Sequence, residues 1–183
     1  SISDYDTAIP ILTQAMIAYP DQAAGQQAFL LLKALAEEQP TLEAAQVAPL
    51  IAARVQYYAG LYEDADKAVS KALKTRDADR AEAYALRGLI EAAQGNTRSA
   101  LAALDKAITL YNQKKISDPV VQQHVAEVWL AKAEVVQANG GDPSKVYTLF
   151  VSRYGDYPEA PLALWLAAQY WDEKDDASHA SDF

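Results

Sequence analysis

Side chains with catalytic or metal-binding chemistry are few in this chain of 183 residues, which holds two histidines and no cysteine. Thiol nucleophiles, disulfides and thiolate zinc sites are therefore excluded. His124 precedes Glu127 by three residues, a spacing that places both on one face of a helix. An acid–base or metal site needs further ligands, and none falls in local register. A surface or packed histidine is the plainer expectation, and His179 falls in the C-terminal tail. Glu63, Asp64 and Asp66 are gathered at one point, but a calcium loop needs a glycine at a set position among its ligands, and none stands there. Their expected role is to face the positive end of a helix dipole, with Glu63 paired to Lys67 four residues on. There is no phosphate-cradling glycine loop and no nucleophile elbow. The expectation is no catalytic residue, no metal and no cofactor.

Charge narrows the partners. The chain carries 16 basic and 25 acidic residues, a net charge of −9. Phosphate backbones are bound by clustered Lys and Arg, and no such cluster stands in the sequence, so nucleic acid is not expected as a partner. No apolar run approaches the roughly 20 residues of a membrane span, so membrane insertion is not expected. The first residue is Ser rather than Met, the expectation for a processed chain or an excised fragment. Residues 172–183 set Asp172, Glu173, Asp175, Asp176 and Asp182 against Lys174, and are expected to form an acidic, flexible tail.

The elements that must position anything are helices. Alanine, the best helix former, makes up 37 residues, while glycine makes up only 7. Helical patterning and stop signals predict about nine helices, near 5–18, 22–37, 42–58, 62–74, 80–94, 97–113, 119–138, 143–154 and 159–171. Pro10 sits inside the first, as a kink or a later start. Pro49 interrupts the third. Asp118-Pro119 and Asp142-Pro143 each set a capping carboxylate before a proline at the first helical position. No stretch alternates as a strand would.

The chain also repeats itself. Tyr57-Tyr58-Ala59-Gly60-Leu61-Tyr62-Glu63-Asp64-Ala65 aligns with Ala92-Ala93-Gln94-Gly95-Asn96-Thr97-Arg98-Ser99-Ala100 at an offset of 35 residues. Val69 and Ala72 match Leu104 and Ala107 at the same offset. Residues 81–110 resemble a tetratricopeptide repeat. Tyr84 stands at the first aromatic position, Gly88 at the small position of the first helix, Gly95 in the turn and Ala100 at the helix crossing. Residues 46–80 keep Gly60, Tyr62, Ala65 and Ala72, but have Pro49 at the aromatic position. Tyr5, Ala8, Leu12, Ala15 and Pro20 fit an isolated second helix of the repeat, and Val146 and Phe150 a looser one after an insertion near 112–123. The Tyr-Pro segments at 19–20 and 157–158 are similar to repeats of bacterial envelope proteins, such as outer-membrane assembly lipoproteins. That similarity implies a periplasmic or envelope location.

The resemblance implies an all-α chain, residues 1–171 forming a single right-handed superhelix of antiparallel helix pairs, an α-solenoid. It also implies a concave face lined by Leu50, Arg54, Tyr57 and Tyr58 from one unit and Ala85 and Leu89 from the next. The function expected is a non-enzymatic scaffold that holds a protein or peptide on that face. The alternatives are a subunit or fragment of a larger envelope assembly, and a small-molecule receptor or enzyme with an unrecognised site. The helix at 159–171 is apolar all round, so Leu162 and Leu166 are expected inward and some of Leu164, Trp165 and Trp171 outward, as an end interface for self-association, a partner or a further chain segment; the alternative is that the acidic tail or the helix at 143–154 covers it.

Overall fold

The structure, a computed structural model, describes residues 2–76 and 79–174, the side chains of residues 2–4 and 44 excepted. Among these residues all regular structure is helical. The helices are α1 (Ile2–Ala18), α2 (Ala23–Glu38), α3 (Pro49–Tyr58), α4 (Tyr62–Leu73), α5 (Arg80–Ala93), α6 (Thr97–Tyr111), α7 (Pro119–Ala138), α8 (Ser144–Tyr154) and α9 (Ala160–Asp172). A short 3-10 turn, Glu43–Ala45, separates α2 from α3. None of the described helices is long and apolar enough to cross a membrane. The expected tail lies outside the described residues from 175 onward.

The chain divides into two compact units, Ser1–Asp79 and Arg80–Phe183. In the first, α1 packs on α2 and α3 on α4. Ile9, Met16, Ala28, Leu32, Ala45 and Val55 form a buried cluster. Helix α1 runs through Pro10 as one element. A Cβ on Gly25 would lie 2.1 Å from the Tyr19 carbonyl oxygen, so the turn from α1 into α2 requires glycine there. The helix expected over 42–58 is a correction: only 49–58 is α-helical, and Pro49 is its first residue. A proline lacks the N–H that a helix interior needs, but the first turn leaves that N–H unused, so the helix starts at the proline rather than crossing it.

In the second unit α5 packs on α6, α6 on α7, α7 on α8 and α8 on α9. Their core holds Leu104, Tyr111, Val125, Trp129, Phe150 and Tyr157. Asp118 caps α7 as expected, its Oδ1 accepting from the backbone N–H of Val120 at 2.8 Å and of Val121 at 3.2 Å. At α8 the expectation is corrected: the helix starts at Ser144 with Pro143 as its N-cap, and Asp142, one residue earlier, accepts from the Ser144 N–H at 3.0 Å.

Three helices end in one turn. Gly60, Gly95 and Gly140 have φ of 74°, 76° and 75°. The next residue's N–H reaches back five positions in each case: Leu61 to Gln56 at 2.8 Å, Asn96 to Glu91 at 2.8 Å and Gly141 to Val136 at 2.9 Å. This bond satisfies a carbonyl that the helix end leaves unpaired, and the left-handed conformation it needs favours glycine.

Candidate functional site

The residues expected on a concave face fall into two sets. Arg54, Ala85 and Leu89 are buried, at 5%, 0% and 2% exposure, so they offer a partner almost no surface. Leu50 and Tyr57 are half-buried and Tyr58 is exposed. Arg54 Nη1 donates to the Tyr58 hydroxyl at 3.5 Å, and the Tyr57 ring lies 5.0 Å from that of Tyr58 and 6.1 Å from that of Tyr62. These contacts join Arg54 and the tyrosines into one cluster at the α3–α4 turn.

At the C-terminal helix the inward face is Ala160, Ala163 and Ala167. The expectation that Leu162 points inward is corrected: it is exposed, while Leu166 is half-buried against the core. Small residues let α9 lie close to its neighbour, and the bulky ones turn away. Trp165 stands out at 60% exposure. Leu164 and Trp171 are half-buried, and the Trp171 indole N–H donates to Ser144 Oγ at 3.0 Å.

His124 does find an acidic neighbour, from another helix. Its Nδ1 lies 3.1 Å from Glu82 Oε2, which also accepts from the Tyr111 hydroxyl at 2.8 Å. Helices α5, α6 and α7 are thus joined by one carboxylate in a partly buried place. Among the described residues no three His, Asp or Glu side chains gather as a metal site would require. Lys67 pairs with Asp64 at 3.1 Å, which holds its ammonium pKa above the usual value. This replaces the expected Glu63 pairing.

The second unit also holds a cleft of about 590 Å3 between the end of α6, the middle of α7 and α8. Asn112, Lys114, Trp129, Leu149, Arg153 and Tyr154 line it. The Arg153 guanidinium donates to the Asn112 carbonyl at 2.7 Å, and the Tyr154 hydroxyl to Asn112 Oδ1 at 2.8 Å. Behind them the rings of Trp129, Phe150, Tyr154 and Tyr157 pack with centroids 4.7–6.3 Å apart. Burial raises the Tyr157 phenol pKa, with Tyr154 and Asp156 adding to the rise. This cleft escapes sequence reasoning because Asn112 and Arg153 are 41 residues apart and share no local pattern.

Two tyrosines outside the cleft show how strongly surroundings differ. Lys106 and Arg80 hold the Tyr84 phenol below its usual pKa, the Lys106 ammonium lying 4.2 Å from the ring centroid. Burial, and then Glu134, raise the Tyr147 phenol.

No family model, curated protein or solved structure matches the chain.

Proposed function

We propose that the chain is a non-enzymatic scaffold of tetratricopeptide type, its helix pairs stacked as a right-handed superhelix that captures a protein or peptide. The observation carrying this reading is the duplicated hairpin. Helices α3–α4 and α5–α6 share the glycine turn, its back-reaching hydrogen bond and fully buried alanines, Ala65 and Ala100, at an offset of 35 residues. Small residues at the crossing let the two helices of each hairpin lie close, and helical repeats of this kind present extended binding surfaces. The inference from repeat to binding is an argument by fold analogy. Of the expected contact residues, Leu50, Tyr57 and Tyr58 retain surface for a partner.

Affinity capture tests it, with the chain and its Leu50→Asp/Tyr58→Asp variant as paired baits. The reading expects a discrete partner that the variant loses while its circular dichroism and melting temperature hold. Partners retained equally by both baits would move the binding surface elsewhere.

The exposed Trp165 favours a second reading, an array end that meets another copy of the chain. Light scattering across a concentration series should then show a dimer that Trp165→Glu abolishes. A monomer at every concentration removes this version.

A further inference from the structure

We propose that the cleft between α6, α7 and α8 is a binding site for a small organic acid, with an anionic head and a flat apolar body. The inference stands apart from the scaffold reading, since it uses only residues within the second unit.

Four observations carry it. The first is charge. The chain has an excess of acidic residues, 25 against 16, yet the cleft is lined by Lys114 and Arg153 and by no Asp or Glu. The Arg153 guanidinium facing a concavity without acids attracts an anion.

The second is preorganisation. Arg153 is tied by its Nη2 to the Asn112 carbonyl at the C-terminal end of α6, with its guanidinium 5.9 Å from the Tyr154 ring centroid. A guanidinium has five N–H groups in a planar fork, so one bond to a carbonyl fixes its plane and leaves others to meet an oxyanion. Asn112 is fixed in turn: its Oδ1 accepts from Tyr154, which directs its amide N–H2 away from that bond.

The third is the polar make-up of the wall. Arg153, Ser152 and the Asn112 amide each bring N–H or O–H donors to the cleft, a set that suits a carboxylate or a phosphate.

The fourth is shape. The volume falls in the range of small-molecule sites, roughly 300–1,000 Å3. The Leu149 side chain, exposed on α8, gives the apolar body a surface to lie on, at the edge of the buried Trp129 and Tyr154 rings.

The test is calorimetric titration of the full chain with 3-phenylpropionate, its neutral amide and a phenylalkyl phosphonate. A saturable single site is expected for the acids, with the amide about tenfold weaker or worse, the usual ratio for one charge-assisted contact. Tighter binding of the phosphonate than the carboxylate would assign the site to phosphate-bearing ligands, and the reverse order to carboxylates. Leu149→Glu alters an exposed position and puts a carboxylate into the cleft, so it should abolish binding without disturbing the fold. Arg153→Gln should weaken binding about tenfold, and Arg153→Lys less. Equal affinity for acid and amide, unchanged binding in Leu149→Glu, or no saturable binding of either acid would each overturn the proposal.

Discussion

Helices α3–α4 and α5–α6 are the same hairpin built with two different interiors. At the tightest point of the second, a Cβ on Gly88 would lie 2.6 Å from the Leu104 side chain and 3.0 Å from its backbone nitrogen. At the equivalent positions of the first stand Ala53 and Val69, both fully buried. A methyl is added on one helix and a methylene is removed on the other. Close packing makes such exchanges pairwise, because an interior at crystal-like density has no room for one change alone. The hairpins differ again at Arg54 and Leu89, which are both buried, one a cation and the other a hydrocarbon. The backbone turn is held constant while the side chains inside vary.

The largest effect should come from the arginine. Arg54→Ala removes a long buried side chain and should destabilise the chain by about 2–4 kcal/mol, within the range for large-to-small changes in cores. Leu89→Ala should cost about the same. Chemical denaturation of both would show whether Arg54 belongs to the interior as Leu89 does. A loss below about 0.5 kcal/mol, the usual size for surface positions, would break the equivalence.

Gly88→Ala should come next. Alanine favours a helix by about 1 kcal/mol over glycine, yet the new methyl would overlap Leu104, and overpacking typically costs 1–3 kcal/mol. A net loss is expected. Adding Leu104→Val should return much of it, because the double variant copies the Ala53–Val69 pair. A double-mutant cycle with no coupling would show that the two pairs are not alternatives.

Gly60→Ala and Gly95→Ala should each cost about 1 kcal/mol, and by nearly the same amount. Neither site has a heavy atom within 4 Å of an added Cβ, so only the left-handed backbone resists the change. Unequal losses would mean that the turns are less alike than their hydrogen bonds.

The smallest effect is a titration. Tyr84 stands where the first hairpin has Pro49, and the Lys106 and Arg80 cations lower its pKa. Its folded pKa is therefore below the unfolded value near 10.0, so its contribution is present above pH 10, is lost as pH falls through the folded value, and is absent at neutrality. Phenolate absorbance should show Tyr84 ionising before Tyr147 and Tyr157, both raised by burial, and Tyr84→Phe should delete that earliest step. Salt should weaken it, since the group is exposed.

Most of the helices were legible because local signals bound them. Glycine turns end α3, α5 and α7, and Asp118 opens α7 as its spacing before proline suggests. Other openings carry no such signal: α2 opens at Gln22 and the 3-10 turn at Leu42, both without a side-chain cap. The clusters that join distant parts of the chain were not legible. Glu82 meets Tyr111 and His124 across 29 and 42 residues. The cleft likewise joins α6, α7 and α8, and its signal is a lining without acids, which exists only in three dimensions.

Helix α9 meets its neighbour through Ala160, Ala163 and Ala167. Such a seam is nearly featureless, a smooth rail on which one helix can slide along another at small loss of contact. Interlocking side chains resist that movement, and here Leu166 against the core and one polar latch share that role. The Trp171 indole donates to Ser144 Oγ, and Ser144 donates to Asp142, at the opening of α8. The alanines set how near the helices lie, while the latch sets where along the rail α9 stops, and with it the position at which Trp165 is displayed to solvent.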